Sequence, residues 1–357
     1  MKRHRSRSCR RSSRRKRKRE HLQLVAKFNA LTVLDADMAY LCVLAFWGCP
    51  ACVVQLVRRI LPLVPWHMRA THDSYEQFAG KKEVSVAFAL KEYIAIASDI
   101  QDSEALDICS DHGFVAAIMM AIMTKWGGFF QGGPVCSSMV FLCRRITQRC
   151  WSMPSGNSGV QCVAIGNMMH ERVVMLVHIL DALGIWWIIE QPITSVMACL
   201  DAWQDFFRIH KAYRKQIYMR DFALDDSHNL KPVFLWSNFA HIAELDMFRI
   251  RCSSGRQSFD CEPTCIVETR TNGTKAITGI PQNVKRTQVY PEGYGDAVSR
   301  IYRRHEDKII ETALYRRELA LSSTYAIEKL IECLSDGGDE WQFAKIDSVF
   351  EFLRGLH

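Results

Sequence analysis

Two apolar runs in the middle of the chain each end in a residue that could do chemistry. Residues 129–131, Phe-Phe-Gln, are followed by two glycines and a proline, and Cys136 comes shortly afterwards. Residues 186–189, Trp-Trp-Ile-Ile, lead directly into Glu190. Short apolar runs bounded by glycine or proline are typical of buried strands. If the two strands are neighbours, we expect the thiol and the carboxylate to meet at one sheet edge, where open α/β sheets bind their ligands.

A thiol and a carboxylate in this arrangement suggest nucleophilic catalysis. A cysteine attacks as the thiolate, so Cys136 needs a nearby cation or a helix N-terminus that lowers its pKa. Ser137 and Ser138 are candidates to cap such a helix, and Arg144 and Arg145 are candidate cations. The glutamate follows a strongly apolar run, and partial removal from water suits a proton donor. The alternative is that the cysteine is only a buried structural residue.

Four short motifs follow one another in a fixed order. They are Phe78-Ala79-Gly80, Pro134-Val135-Cys136, Glu190-Gln191-Pro192 and residues 231–238, Lys-Pro-Val-Phe-Leu-Trp-Ser-Asn. In order and spacing they resemble the Phe-x-Gly-x-Gly, Pro-Cys, Glu-Asn-Val/Pro and phage-type Lys-Pro-Thr-x-x-Trp-Thr-Asn motifs of DNA cytosine-5 methyltransferases. The chain looks more similar still to uncharacterised protist proteins that carry a degenerate version of that domain. The resemblance covers residues 75–302.

The resemblance implies a reaction and two catalytic residues. In that family the cysteine, here Cys136, adds to C6 of cytosine and makes C5 nucleophilic enough to take a methyl group. The glutamate, here Glu190, hydrogen-bonds N3 and the exocyclic amine and protonates the ring. Chemistry on a base in a duplex requires the base to be flipped out. The polar loop at residues 153–159 could close over such a base, and Arg220 and Lys231 could contact phosphate.

The resemblance also implies S-adenosylmethionine as cofactor, bound by Phe78, Gly80, Asp99, Asp107 and Pro134. The glycine would let the backbone approach the cofactor, because a residue without Cβ leaves room there. Asp99 lies at the distance from this turn at which dinucleotide-binding units place the acid that binds ribose hydroxyls. Asp107 matches the position that faces the adenine amino group. A plain strand-to-helix turn and two exposed loop acids are the alternatives.

The motifs depart from the family pattern at several places. Lys81, Lys82 and Glu83 stand where a second glycine is expected, Val135 separates the proline from the cysteine, and Gln191 replaces an asparagine. A Gln-x-Arg-x-Arg element is missing. These departures favour a second hypothesis, a catalytically inactive nucleic-acid-binding relative of the same fold.

The positive charge of the chain is concentrated at one end. The formal net charge is +8, but twelve Lys and Arg with one Glu lie within residues 1–20, which leaves the remainder at −3. We expect residues 1–21 to form a disordered basic arm, since the segment has almost no apolar residue to bury. Residues 2–19 could bind DNA electrostatically and address the protein to the nucleus. A solvated tail without a specific partner is the alternative.

Residues 22–70 form an apolar region with helical character. Residues 39–57 contain no charged side chain and have about the length that spans a bilayer. A membrane-tethered protein is therefore a third hypothesis. Gly48 and Pro50 interrupt this stretch, so we favour two packed helices joined at residues 48–50.

Alternating strand and helix patterns predict an α/β fold. Strands are predicted at 93–97, around 129 and at 185–189, and helices at 84–90, 114–125, 160–183 and 195–213. This order predicts a mostly parallel, Rossmann-like methyltransferase sheet within residues 75–291. Its last part is a smaller mixed region, with a strand at 233–236 and a hairpin formed by 264–269 and 276–278. A helical tail should occupy residues 295–357.

The fourteen cysteines show no disulfide framework and no signal peptide precedes them, so reduced thiols are expected. Cys49 and Cys52 form a Cys-x-x-Cys pair that could be redox-active at a helix start, or two buried residues. Cys252, Cys261 and Cys265 with His241 lack the paired spacing of zinc knuckles. We therefore expect no metal site.

Overall fold

The structure, a computed structural model, describes residues 36–224, 231–250, 265–280 and 289–335, apart from 270, 272 and 274. The basic arm lies outside the described residues. Six strands form one sheet in the order β2-β1-β3-β4-β6-β5. Only β6 runs against its neighbours, so the predicted α/β class with a mostly parallel sheet is confirmed. The strands are β1 His72–Gln77, β2 Ala95–Ser98, β3 Thr124–Gly132, β4 Trp186–Pro192, β5 Tyr213–Tyr218 and β6 Pro232–Ser237.

Helices cover both faces of this sheet. A separate two-stranded antiparallel hairpin of β7 Cys265–Thr269 and β8 Lys275–Gly279 has the predicted pairing. The helices are α1 Ala36–Phe46, α2 Ala51–Ile60, α3 Glu83–Ala89, α4 Asp111–Met123, α5 Arg144–Thr147, α6 Gln161–Ala182, α7 Asp201–Ile209, α8 Glu292–Ser322 and α9 Thr324–Ser335.

The central strands are apolar throughout because both of their faces are buried. Along β4, Trp187 and Ile189 belong to one hydrophobic core, and Trp186 and Ile188 belong to the core on the other face. Successive side chains of a strand point to opposite sides, so a strand covered by helices on both faces needs apolar residues at every position. This is why the run 186–189 is continuous rather than alternating.

The apolar region before β1 is part of the same body. As predicted, α1 and α2 are two helices joined across Gly48, which has φ +82°. Leu41 and Val53 are buried in the core that contains Trp187, so residues 39–57 pack against the sheet and do not form one continuous helix. Within the described part of the chain, one helix, α6, has the length and hydropathy to cross a membrane. In its most apolar window 61% is buried inside the protein, as in the central helix of a folded domain.

The predicted helical tail begins at Glu292 and packs closely on the sheet. Two glycines with left-handed φ permit this, Gly127 at +72° and Gly184 at +66°. A Cβ on Gly127 would lie 2.8 Å from the Cα of Ile310, and one on Gly184 would lie 2.7 Å from the Cβ of Ala313. The helix breaks at Ser323, and α9 continues from there.

One predicted helix, at 195–213, is wrong over part of its length. The helix α7 covers only Asp201–Ile209, and the chain from Tyr213 forms the edge strand β5. This strand has the sequence Tyr-Arg-Lys-Gln-Ile-Tyr, with Arg214 and Gln216 exposed. Charged residues are frequent on edge strands, and they hide the apolar alternation that identifies inner strands.

Candidate active site at the carboxyl edge of the sheet

The two predicted catalytic residues lie near the same end of the sheet. Strands β3 and β4 are parallel neighbours, with Gly132 paired to Ile189. Glu190 is the next residue within β4, and Cys136 lies in the segment that follows β3. Glu190 is 5% exposed, and Cys136 lies half-buried in the turn after β3. The neighbouring strands predicted from the two apolar runs are thus present.

Lys231, the residue directly before β6, forms a cluster with Glu190 and Cys136. Lys231 Nζ lies 3.4 Å from Glu190 Oε1, and the two side chains are 14% and 7% exposed. This oxygen has an ion-pair partner but no hydrogen bond. Cys136 is close enough to both groups for their charges to act on its thiol. We refer to Cys136, Glu190 and Lys231 as the thiol cluster.

The thiol is protonated in this state. Burial raises the pKa of Cys136 to about 11, and the Glu190 charge adds to this rise, while the Lys231 charge opposes it. The expected helix after Cys136 is wrong, because residues 137–139 form turns and the next helical residues begin at Phe141. The cation that acts on the thiol is therefore Lys231, and neither a helix dipole nor the exposed Arg144 and Arg145 fills this role.

Alkylation of Cys136 should depend on this charge balance. We expect Lys231→Met to slow the reaction with iodoacetamide at pH 7 by about tenfold, because losing the cation raises the thiol pKa by about one unit. Glu190→Gln should speed it, since the unopposed lysine then favours the thiolate. Mass spectrometry of the Cys136 peptide measures both rates, with exposed Cys162 as internal reference. Equal Cys136 rates in the two variants would contradict this charge assignment.

Tyrosines from the C-terminal region also reach this edge. Tyr290 donates its hydroxyl to Glu190 Oε2 at 3.4 Å and accepts from Gln131 Nε2 at 3.3 Å. Tyr294 donates to Gln131 Oε1 at 3.0 Å. A Cβ on Gly133 would lie 2.4 Å from the Tyr290 oxygen, so a glycine is needed where the ring approaches. The sequence analysis missed these residues; the polar Gln131 inside an apolar strand was the available signal.

The Gln191 side chain connects the segment before Cys136 to the turn after β4. Its Nε2 donates to the carbonyl of Pro134, and its Oε1 accepts from Ser195 Oγ at 2.9 Å. The glutamine that departs from the family pattern thus has a structural role, which is to hold the turn before Cys136 against β4. Pro134 itself is buried.

Three predicted cofactor residues meet at the ends of β1 and β2. Phe78 and Gly80 have left-handed φ values of +62° and +49°. Asp99 is 7% exposed, and it accepts the Gly80 N–H at 2.9 Å and the Gln101 N–H at 2.8 Å, one on each oxygen. A Cβ on Gly80 would have no atom within 4 Å, so the space beside this residue is open. The left-handed φ, and not a lack of room, is what favours glycine here.

Within the described part of the chain, the hydrogen bonds of Asp107 are local to the start of α4. Its carboxylate accepts the Cys109 N–H at 2.9 Å, and its carbonyl accepts the Ser110 N–H at 2.8 Å. A Cβ on Gly113 would lie 2.0 Å from the same carbonyl oxygen. Asp107 therefore shapes the loop between β2 and α4.

The loop at 153–159 makes hydrogen bonds to its surroundings: Arg149 donates to Pro154 O, Asn157 N–H donates to Thr147 O at 2.9 Å and Asn167 donates to Ser155 O at 3.0 Å. Its closure over a base stays a prediction. The expected contact of Arg220 with phosphate needs correction. Arg220 is 3% exposed in a buried turn at Met219–Phe222, so in this conformation it offers little surface to a phosphate.

Of the two cysteine groups singled out in the sequence, the Cys49–Cys52 pair lies within the described residues. Burial raises the pKa of both Cys49 and Cys52, and Cys49 Sγ donates to His178 O at 3.3 Å, which fits the buried alternative. Cys252 and Cys261 lie outside the described residues, as does the side chain of Cys265.

A cavity of about 360 Å³ lies at the opposite edge of the sheet, away from the thiol cluster. Gly184 and Trp186 at the start of β4 line it, together with Asn238, His210 and Arg316.

No protein-family model matches this chain, and no curated protein matches it. The function therefore has to be inferred from the residues and contacts described above.

Proposed function

We propose that this protein is an S-adenosylmethionine-dependent methyltransferase of the DNA cytosine-5 type, with Cys136 as nucleophile and Glu190 as proton donor. The observation that carries the proposal is the thiol cluster at the carboxyl edge of two neighbouring parallel strands. Ligands of open α/β sheets bind at this edge. The antiparallel strand β6 between β4 and β5 is compatible with a methyltransferase-type sheet.

The residues at the ends of β1 and β2 fit the cofactor in two respects. The buried Asp99 lies beside the Gly80 turn, where its carboxylate keeps acceptor capacity beyond the two N–H groups that it binds. The space beside Gly80 would admit the cofactor against the backbone. When bound, S-adenosylmethionine supplies an electrophilic methyl group. Asp99 would hold its ribose hydroxyls, and Phe78 would lie against the turn.

The thiol cluster can move the proton that this chemistry requires. Glu190, paired with Lys231, would accept the proton of the Cys136 thiol and pass it to N3 of the base as Sγ bonds to C6. The net result is transfer of one proton from sulfur to the ring, with the Lys231 charge unchanged. Tyr290 and Lys231 would hold the Glu190 carboxylate in place through its two oxygens. In the later elimination the C5 proton is released to solvent, Sγ leaves C6 with the electrons of their bond, and the N3 proton returns through Glu190 to restore the Cys136 thiol.

Two observations favour the second candidate, a catalytically inactive relative that binds nucleic acid. The Cys136 pKa of about 11 leaves almost no thiolate at neutral pH. Asp99 holds two backbone N–H groups of its own loop, a structural role that an inactive relative would keep. In both candidates the basic arm would supply nonspecific DNA affinity that falls with added salt, and it would address the protein to the nucleus.

Calorimetry with the full chain and S-adenosylmethionine tests the cofactor site. We expect binding that is lost in Asp99→Ala and kept in Asp102→Ala, because Asp102 is an exposed neighbour whose described ion pair is with Lys82. Absence of binding at millimolar ligand would rule out the methyltransferase proposal. Circular dichroism of both variants controls for folding, since Asp99 also holds the Gly80 turn.

Covalent trapping separates the two candidates. A duplex with 5-fluorocytosine blocks loss of the C5 substituent, so an active enzyme should remain attached through Cys136 when the cofactor is present. Mass spectrometry should find this adduct in the parent protein and not in Cys136→Ser. Cofactor binding without any adduct would support the inactive relative.

A further inference from the structure

Two histidines and a glutamate form a compact cluster that begins after the end of β6, whereas Lys231 of the thiol cluster precedes that strand. His241 and Glu244 lie on the helical segment Ala240–Phe248, and His305 lies on α8. Glu244 Oε1 is 2.6 Å from His241 Nδ1 and 2.7 Å from His305 Nε2. The three ligand atoms all lie within 4.8 Å of one another. Two separate elements therefore direct two imidazole nitrogens and a carboxylate at one point.

We propose that His241, Glu244 and His305 bind a divalent transition-metal ion, for which zinc is the best fit. Imidazole nitrogen and carboxylate oxygen are zinc donors, and two histidines with one glutamate make up one type of three-ligand zinc site. With bonds of about 2.0–2.1 Å, tetrahedral ligand atoms are about 3.3 Å apart. As the ion replaces the two shared protons, the Glu244 oxygen has to move about 0.6–0.7 Å from each nitrogen, and the two nitrogens, which lie within 4.8 Å of each other, have to reach the same spacing.

The surroundings hold these ligands in place. Arg304 donates to the other oxygen of Glu244 at 2.9 Å, and this bond orients the carboxylate. The Phe239 ring packs on both imidazoles, with centroid distances of 4.7 Å to His241 and 5.7 Å to His305. Outer contacts of this kind fix ligand orientation in metal sites.

The cluster remains open to solvent on one side. The side chains of His241, Glu244 and His305 are 31%, 19% and 16% exposed, so a water molecule can occupy a fourth ligand position. Among the described residues, these are the three that meet the distance requirements of a metal cluster. The inference is independent of the methyltransferase proposal and replaces the expectation that the protein lacks a metal site.

Metal titration of the tag-free, reduced full chain tests the proposal. Zinc should bind at one site that raises the melting temperature, and His305→Gln should weaken this binding by at least tenfold. The glutamine can still donate to Glu244, so this variant keeps a hydrogen bond while it loses a strong metal ligand. Replacement of the exposed His67 by alanine is the matched control, and it should leave zinc binding unchanged.

Cobalt substitution distinguishes this site from the cysteines. Co²⁺ bound at His241, Glu244 and His305 should give d–d absorption bands without a thiolate charge-transfer band, and the d–d bands should disappear in His305→Gln. Unchanged zinc affinity in His305→Gln, or a cobalt spectrum dominated by thiolate charge transfer, would overturn the proposal. In that case the three residues would form a hydrogen-bonded cluster and no metal site.

Discussion

Replacement of Asp181 by alanine is expected to lower the free energy of unfolding by about 3–5 kcal/mol, a large share of what a domain possesses. Asp181 is 4% exposed and binds four donors. Its Oδ1 accepts from Trp187 Nε1 at 3.1 Å and from Asn238 Nδ2 at 3.2 Å. Its Oδ2 lies 2.9 Å from His210 Nδ1 and accepts from Arg316 Nη2 at 3.2 Å.

The size of this effect follows from where the four donors lie. Trp187 is on β4, Asn238 follows β6, His210 ends α7 and Arg316 is on α8, so one carboxylate connects these elements to α6. Truncation leaves buried donors without acceptors, which is more destabilising than the loss of one surface contact. The Asp181 side chain thus joins four parts of the fold to α6.

Urea denaturation of Asp181→Ala and of a matched control measures the difference. Asp205→Ala on α7 is suitable, because Asp205 is 60% exposed and its ion pair with Arg208 lies within one helical turn. We expect this control to change stability by no more than about 0.5 kcal/mol. Asp181→Asn should fall between the two, since it keeps a side-chain oxygen and loses the charge opposite Arg316. Similar midpoints for Asp181→Ala and the control would contradict the prediction.

The second large effect is a loss of stability in acid that begins below pH 6.5. Burial lowers the pKa of His170 to about 3, and the Arg149 charge adds to this effect. Burial also lowers the pKa of His178 to about 3, helped by His210. The unfolded chain protonates both imidazoles below about pH 6.5 while the folded state does not. Each histidine therefore removes about 1.4 kcal/mol of stability per pH unit in this range.

A buried acid opposes part of this loss. Burial raises the pKa of Glu76 to about 7, outweighing the backbone N–H of Ser85 that it binds. Between pH 7 and about 4.5 the folded state takes up a proton at Glu76 that the unfolded chain does not, so acidification adds stability here. The net loss between pH 6.5 and 4.5 should then be about 1.4 kcal/mol per unit.

Removal of the opposing acid makes the pH dependence testable. In Glu76→Gln, the loss of stability between pH 6.5 and 4.5 should steepen to about 2.7 kcal/mol per pH unit, because both histidines then act unopposed. Urea midpoints measured at several pH values give the two slopes. Parallel curves for the variant and the parent protein would show that Glu76 does not titrate in this window.

Asp181 adds to the loss only in stronger acid. Burial alone would raise its pKa, but the hydrogen bond with His210 and the Arg316 charge outweigh it and lower the pKa to about 2. Its stabilising contribution is therefore complete above about pH 4 and disappears as the pH falls toward 2. The acid transition of the parent protein should thus have two parts, the first from the histidines and the second from this carboxylate.

The sequence by itself determined which segments are buried strands and where the chain turns. The apolar runs before Gln131 and Glu190 predict inner strands of a parallel sheet, and both form such strands. Gly48 and Pro50 predict the break between α1 and α2, and Gly273 marks the β7–β8 turn. These features are local, since periodicity and backbone conformation depend on neighbouring residues.

The tertiary structure alone decided which distant side chains meet. Tyr290 contacts Glu190 across 100 residues, and His305 contacts Glu244 across 61. Periodicity indicates that a side chain faces inward, but it does not indicate its partner. The edge strand β5 became visible only through its pairing with β6, because its own pattern is polar. The sequence therefore predicted Cys136 and Glu190 as candidates, and the fold placed the Lys231 cation beside Glu190 and brought His241 and His305 together at Glu244.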